Sequence, residues 1–198
     1  MSKNNNYLYF ETIDQITKDK NKFFAVDVGA NTGEVTKYFS EHWSKVLAFE
    51  PTPSTFKELL KNVDKNVQCE NIGLSDSSGT LTFATGPNPR INQIVSENFY
   101  KKGWTTINIP VKTLDSLNLL DVDLLKIDVE GHERQVVLGA KNLIKTCKPL
   151  IIIEISFENK VYDKEISKDH THALTILESW GYSIIKKHRH DYILSYKE

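Results

Sequence analysis

The alternation of short apolar runs with amphipathic segments is the feature that most restricts how this chain can fold. The apolar runs, which we predict to be strands, are 23–28, 45–50, 67–73, 122–129 and 149–156. The segments between them with apolar residues at helical intervals are 34–43, 53–63 and 132–145. Two runs, FFAVDV and PLIIIEIS, are nearly continuous in apolar side chains, as is typical of strands buried on both faces. This order predicts βαβ units around a mainly parallel sheet, and therefore an α/β fold.

The remaining segments break this alternation. We expect a leading helix near residues 8–20 and a terminal antiparallel hairpin after a helix at 169–181, with strands at 182–187 and 191–197. Short strands at 80–85 and 106–114 are predicted to flank the loop 86–104. A polar loop of this length inside a compact domain is usually functional or disordered.

Charge and composition narrow the class of protein. The 198 residues carry a formal charge of −1, so we expect no overall field that would recruit nucleic acid. The chain has no run of about 18 apolar residues, and MSKNNNYLYF lacks the apolar core of a secretory signal. We therefore expect a cytoplasmic protein without membrane insertion, built as a single domain over residues 1–198.

A turn rich in glycine, 26-VDVGANTGEVT-36, follows the first predicted strand and leads into a helix. Such a turn lets the backbone approach a nucleotide-like ligand closely. Its residues Asp27, Gly29, Asn31 and Gly33 do not match the dinucleotide pattern G-x-G-x-x-G, since Asn31 takes the place of the middle glycine. An acid at position 27 would repel a pyrophosphate but would suit an ammonium or a sulfonium. We therefore predict S-adenosylmethionine as the cofactor.

The ends of the next two predicted strands supply further candidates for cofactor binding. Glu50 can accept hydrogen bonds from both ribose hydroxyls, although it could equally cap the helix that begins at Pro53. Asn71 and Gly73 could flank an adenine, although asparagine and glycine are also common in simple turns.

Taken together, these motifs and their order resemble those of the FkbM family of S-adenosylmethionine-dependent methyltransferases. The resemblance rests on FAVDVGANTG, VLAFEPTPSTFKELLKN, NIGLSD, VKTLDSL, LLKIDVEGHERQVVLGA and PLIIIEI, over about residues 23–156. It implies a Rossmann-like class I methyltransferase fold with a seven-stranded, mainly parallel sheet and helices on both faces. It also implies O-methylation of a sugar or a polyketide-like natural product.

Acidic residues and one histidine lie at, or just after, the ends of the fourth and fifth predicted strands. They are Asp128, Glu130, His132 and Glu154, all expected at the edge of the sheet where ligands bind. His132 or Glu130 could act as a general base on the acceptor hydroxyl. Alternatively, Asp128 and Glu154 could hold Mg²⁺ or another divalent cation, which would acidify that hydroxyl. Both hypotheses remain open at this point, and His132 could also serve only as a hydrogen-bonding residue at the start of a helix. We expect Glu133 to lie in a solvated first turn of that helix.

The acceptor, a small molecule or a glycan, is predicted to bind between the loop 86–104 and the segment 156–172. Arg90, Asn92 and Gln93 offer hydrogen-bond donors, and Trp104 could stack on a sugar face. The alternative functions are those of an N-methyltransferase, a non-catalytic cofactor-binding partner and an NAD-dependent dehydrogenase. DVEG replaces the D/N-P-P-Y/F motif typical of nucleic-acid N-methyltransferases, and Asp27 disfavours the dehydrogenase. The sequence is silent on a binding partner role.

Overall fold

A computed structural model describes residues 9–19, 22–86, 92–155 and 172–197, and its helices and strands form two sheets with helices packed around them. In chain order the elements are α1 (Phe10–Thr17), β1 (Phe24–Val28), α2 (Glu34–His42), β2 (Lys45–Phe49), α3 (Pro53–Asn62), β3 (Val67–Glu70), β4 (Gly73–Leu74), β5 (Gly79–Thr85), β6 (Gln93–Ile94), β7 (Thr105–Lys112), β8 (Leu124–Ile127), α4 (Glu133–Gly139), α5 (Lys141–Cys147), β9 (Leu150–Glu154), α6 (His172–Ser179), β10 (Tyr182–His188) and β11 (Asp191–Tyr196).

The main sheet confirms the predicted seven-stranded architecture. Its strand order is β10-β11-β9-β8-β1-β2-β3. The pairs from β9 to β3 are parallel, whereas β11 is antiparallel to both β9 and β10, as the predicted hairpin requires. Strand β1 lies inside the sheet between β8, the central strand, and β2, and all of its side chains are buried. The glycine-rich turn therefore starts from the interior of the sheet and not from one of its edges.

Successive side chains of a strand point to opposite faces, so the buried strands present apolar side chains on both faces of the main sheet. Each face is covered by a different group of helices. On one face, residues such as Val26 and Ile127 pack against α4, α5 and α6. On the other face, Ala25 and Leu124 pack against Tyr9, which directly precedes α1, and against Phe39 of α2. Asp27 and Lys126 fall on this second face by the same alternation, within an otherwise apolar layer.

A second, four-stranded sheet lies beside the main one and was not predicted as a separate unit. Its order is β4-β7-β5-β6. The predicted strands at 80–85 and 106–114 are present as β5 and β7, and they pair antiparallel over their length. The predicted strand 67–73 was wrong as a single strand, since β3 ends at Glu70 and Gly73–Leu74 joins the second sheet. The chain thus crosses from one sheet to the other between these two segments.

The predicted helix 132–145 was also wrong as a single helix. Ala140 has φ −111° and ψ 12°, which is not helical, and it separates α4 from α5. Helix α4 approaches the second sheet closely, because a Cβ at Gly139 would lie 2.0 Å from the carbonyl oxygen of Ser75. The break therefore allows α4 to lie directly against the start of the second sheet.

Within the described ranges, no helix is both long and apolar enough to cross a membrane.

Candidate functional site

An open cleft lies at the carboxyl ends of the central strands. The ends of β1, β2 and β8 form its floor, and Phe83, Ile94 and Ile109 of the second sheet form an apolar wall. Of the residues predicted from sequence, the cleft is lined by Gly29, Asn31, Glu50, Gly73, Asn92, Asp128 and Glu130. The predicted ligand-binding edge and this cleft are therefore the same place.

The glycine-rich turn is shaped by residues in the left-handed region. Gly29 has φ +83°, Asn31 +51° and Gly33 +93°. The amides of Gly29 and Ala30 both donate to the carbonyl of Phe49, at 3.0 and 2.9 Å. A Cβ at Gly29 would lie only 1.8 Å from the carbonyl oxygen of Asp128. Glycine is needed there so that the ends of β1 and β8 can approach each other.

Glu50 connects this turn to the start of α3. Its buried carboxylate accepts hydrogen bonds from the backbone N–H of Asn31 at 3.0 Å and of Thr52 at 2.8 Å. Burial raises the pKa of Glu50 above its ordinary value, and the bonds from Thr52 and Asn31 oppose that rise. Because a carboxylate offers about four lone-pair sites, Glu50 can still accept from a ligand in the cleft. The capping interpretation and the ligand-binding interpretation are therefore compatible.

Asp27 lies beneath the cleft rather than in it. Its side chain is 0% exposed and does not line the cleft. One carboxylate oxygen accepts from Thr36 Oγ1 at 2.7 Å, and the other lies 3.3 Å from Lys126 Nζ. Strand alternation turns Asp27 toward α2, so the expected direct contact with a cationic ligand has to be corrected. Asp27 is instead part of the support under the cleft floor.

Asp128 and Lys126 complete this support. The Asp128 side chain is 28% exposed and lines the cleft, and one of its oxygens lies 3.4 Å from Lys126 Nζ. Burial opposes the charge on Lys126, but Asp27 and Asp128 more than offset it and hold the Lys126 pKa well above its ordinary range. A charged residue inside a strand buried on both faces predicts that Lys126 pairs with an acid rather than contacting substrate, and the two ion pairs confirm this.

The turn after β8 places Glu130 in the cleft and removes His132 and Glu133 from it. Glu130 has φ +51°, an uncommon conformation for a residue other than glycine, and is followed by Gly131 at +107°. Glu133 is 3% exposed and accepts from the backbone N–H of Gly131 at 2.9 Å. The prediction of a solvated helix start was therefore wrong, because Glu133 folds back to brace the turn.

His132 occupies the residue before α4 and faces away from the cleft. It is 7% exposed, does not line the cleft, and its Nε2 lies 2.9 Å from Ser75 Oγ. Burial lowers the pKa of His132 from 6.5 to about 4. The hypothesis that His132 is the general base is corrected on this geometry, since the turn at Glu130 and Gly131 directs its ring toward the second sheet. The alternative prediction, that His132 only forms a hydrogen bond at the start of a helix, fits the structure, and its partner is the hydroxyl of Ser75.

The two candidates for an adenine site differ in position. Gly73 lines the cleft beside Ile109. Asn71 does not line it, because its side-chain amide donates to the carbonyls of Glu50 and Pro51 at 2.8 and 3.1 Å. Asn71 therefore fixes the segment that follows β2, and Gly73 remains the residue that a flat ring could approach.

The candidates for acceptor binding are also separated. Asn92 lines the cleft, where it accepts from the Gly86 N–H at 3.3 Å and donates to Thr52 Oγ1 at 3.4 Å. Gln93 is buried in β6, and neither it nor Trp104 lines the cleft. The Trp104 ring packs on Gly86, where a Cβ would lie 2.7 Å away. Arg90 and most of the predicted acceptor segment 156–172 lie outside the described residues.

The predicted metal ligands do not form a cluster. In the ranges that the structure covers, no group of three or more His, Cys, Asp or Glu side chains is arranged to hold a metal ion. Glu154 ends β9 without lining the cleft. The Lys126 ammonium already lies next to Asp128, and a divalent cation on the same carboxylate would be repelled by it.

The charges around the cleft suit a positively charged ligand. Glu50, Asp128 and Glu130 line it, and among the described lining residues there is no Lys, Arg or His. The opposite wall is apolar and can cover a flat ring. These features fit a nucleoside that carries a cationic tail, and they disfavour a pyrophosphate, which would meet carboxylates without a compensating cation in the cleft.

Comparisons with known proteins show which family the sequence is similar to. The profile of the family described as Methyltransferase FkbM domain matches residues 27–184. Hexuronic acid methyltransferase AglP of Haloferax volcanii is 33% identical over 138 residues, which cover 65% of this chain and 54% of that protein. Methyltransferase sdnD of Sordaria araneosa is 29% identical over 190 residues, covering 71% of this chain and 73% of that protein.

Structural similarity points to the same fold. The crystal structure of methyltransferase FkbM from Methylobacillus flagellatus KT superposes with a TM-score of 0.57 at 18% identity, over 90% of this chain and 44% of that one. The fold is that of the Rossmann-like methyltransferases. The chain spans about half the length of AglP and of this crystallised protein.

Proposed function

The chain belongs to the FkbM methyltransferase family, and we propose that it transfers a methyl group from S-adenosylmethionine to a hydroxyl group of a sugar or a similar polyhydroxylated molecule. The observation that carries the proposal is the cleft itself, which lies within the matched region and is lined by carboxylates without a described cation. AglP is named as a hexuronic acid methyltransferase, and its 33% identity supports a sugar acceptor.

The residues proposed to hold the cofactor are those that line the floor of the cleft. Glu50 accepts from the ribose hydroxyls, while Gly29 and Asn31 allow the backbone to approach. Asp128 faces the positively charged part, and Gly73 with the apolar wall of the second sheet borders the adenine. Asp27 contributes from below through Lys126 rather than by direct contact.

S-adenosylmethionine, when bound, supplies a methyl group already activated by its sulfonium. The chain therefore has to position the acceptor oxygen and remove its proton. Glu130 lines the cleft and its backbone is held in an uncommon conformation by the turn that Glu133 braces. We assign Glu130 the role of general base, which is worth roughly 10²–10⁴ in rate.

Activation of the hydroxyl by a divalent cation remains the alternative. It would require Asp128 and Glu154 to act together, with Glu130 as a third oxygen ligand. The ammonium of Lys126 beside Asp128 is the observation that disfavours it. The two routes differ in their response to a chelator.

The proposal is tested by transfer of labelled methyl from S-adenosylmethionine to a panel of hexuronic acids, neutral sugars and small alcohols. We expect transfer to at least one sugar, unaffected by EDTA, and a loss of about 10²-fold or more in kcat for Glu130→Gln. The matched control is Glu41→Gln, an exposed glutamate near the end of α2 that lies outside both the cleft lining and the predicted acceptor segments. Loss of methyl transfer on adding EDTA would favour activation of the hydroxyl by a divalent cation over activation by a general base. Binding of the cofactor without transfer to any acceptor would favour the non-catalytic alternative.

A further inference from the structure

Lys126 is a charged residue in a place that the fold reserves for apolar side chains. It lies in the middle of β8, between Leu125 and Ile127, and is buried. By register it is the direct neighbour of Asp27 on β1. Both residues point into the apolar layer formed with α1 and α2. A lysine and an aspartate therefore face each other where the surrounding positions hold Ala25, Leu124 and similar residues.

The ammonium of Lys126 contacts two carboxylates that differ in exposure. It lies 3.3 Å from Asp27, which is completely buried, and 3.4 Å from Asp128, which reaches the cleft. Thr36 donates to the other oxygen of Asp27, which fixes that carboxylate from the side of α2. Other titratable groups coupled by charge to members of this cluster include Tyr9 before α1, Glu154 of β9, Glu50 after β2 and Cys69 of β3.

Stability alone is a weak reason for this arrangement. Replacing a buried ion pair by well-packed apolar residues is often neutral or stabilising, because two charges must be removed from water. Asp27 and Lys126 have no contact with the cleft, whereas Asp128, their third member, lines it. Asp128 is thus the member of the cluster that reaches the cleft, and the cluster can affect a ligand there through the orientation of the Asp128 carboxylate.

We propose that Lys126 is a positioning residue that acts through Asp128. Its ammonium, anchored by Asp27, holds the Asp128 carboxylate at the cleft floor in the orientation that receives the positively charged part of S-adenosylmethionine. This inference rests on the proposed function. It assigns a role to a residue that does not itself line the cleft.

A double-mutant cycle on binding separates positioning from general structural support. Four proteins are titrated calorimetrically with S-adenosylmethionine: the wild type, Lys126→Met, Asp128→Asn and the double variant. We expect Lys126→Met to weaken binding about tenfold when Asp128 is present, and less than about twofold in the Asp128→Asn background. An equal loss in both backgrounds, or no loss in either, would overturn the inference, because a purely structural effect does not depend on Asp128.

A second pair of variants keeps the test decisive if Lys126→Met does not fold. Asp27→Asn combined with Lys126→Met removes one negative and one positive charge together, so it leaves the net charge of the cluster unchanged. We expect this double variant to bind about tenfold more weakly than Asp27→Asn alone, since Asp128 has lost its ammonium. Equal affinity in the two would overturn the inference. If the wild type itself does not bind S-adenosylmethionine, both the proposed function and this inference fail. If the wild type binds but the losses of affinity in the single variants simply add in the double variant, only this inference fails.

Discussion

The Glu50 carboxylate joins two backbone segments and also borders the cleft, so a side chain that stabilises the fold is also exposed to the candidate ligand site. Its oxygens accept hydrogen bonds from the backbone N–H groups of Asn31, in the glycine-rich turn, and of Thr52, directly before α3. At the scale of single residues, the site depends on carboxylates whose surroundings are already hydrogen-bonded before any ligand arrives.

Replacing Glu50 by Gln should therefore weaken cofactor binding as well as folding. The amide keeps one acceptor oxygen but places an NH₂ group against one of the two backbone N–H donors, which costs about 1–3 kcal/mol. We expect calorimetry to show a loss of affinity for S-adenosylhomocysteine of about tenfold or more. Glu70→Gln, at the end of the neighbouring strand β3, is the matched control and should bind normally. Unchanged affinity in Glu50→Gln would contradict the placement of the ribose.

His132 gives a prediction on acid stability. Its folded pKa of about 4 lies below the ordinary value of 6.5, so the unfolded chain takes up a proton over a range where the folded chain does not. The stability linked to this residue is fully present above about pH 6.5 and is lost as the pH falls toward 4. In urea denaturation, the wild type should lose roughly 2–3 kcal/mol more than His132→Asn between about pH 7.5 and pH 4.5.

The exposed residue His190 provides the control for this measurement. His190→Asn should follow the wild type over the same range. Identical acid dependence in the wild type and in His132→Asn would show that His132 is not buried against Ser75.

At the scale of elements, the sequence predicted what depends on local pattern and missed what depends on pairing between distant segments. The strands of the main sheet and its terminal hairpin follow from apolar runs and alternation. Alternation in 80–85 and 106–114 also predicted β5 and β7, but nothing local indicates that they form a second sheet. For the same reason, the apolar wall formed by Phe83 and Ile109 could not be derived from sequence.

Backbone conformation explains the errors at the site. The motif KIDVEGHE indicated that acids and a histidine would share one edge of the sheet. Which of them reach the cleft depends on the left-handed conformation of Glu130 and Gly131, a feature that the spacing alone does not determine. Asp27 was placed one layer too high, because the last residues of a strand alternate between faces like all the others.

The contact between α4 and the second sheet yields a prediction at this scale. An alanine at Gly139 would bring a Cβ to within 2.0 Å of the Ser75 carbonyl, so α4 or the sheet must move. We expect Gly139→Ala to reduce the free energy of unfolding by about 1–3 kcal/mol. Hydrogen exchange should increase in β4 and β7, which lie next to this contact.

Gln135→Ala, in the same helix, is the matched control and should leave exchange in the second sheet unchanged. Equal exchange in Gly139→Ala and the wild type would contradict the close packing of α4 against Ser75.

At the scale of the whole molecule, the cleft is defined by two sheets of different character. The main sheet contributes a floor with carboxylates, and the second sheet contributes an apolar wall. The chain passes from the main sheet to the second sheet just before Gly73, so the floor and the wall of the cleft are connected there by a short segment of backbone. The cleft thus has a charged side and an apolar side, the combination that we propose receives a nucleoside with a cationic tail.

The most direct test of this account is a calorimetric titration of the wild-type protein with S-adenosylmethionine and, in parallel, with NAD. Saturable one-to-one binding of S-adenosylmethionine with no detectable heat from NAD is the predicted result, because the cleft carries carboxylates and no described cation to meet a pyrophosphate. Saturable binding of NAD with no response to S-adenosylmethionine would contradict it.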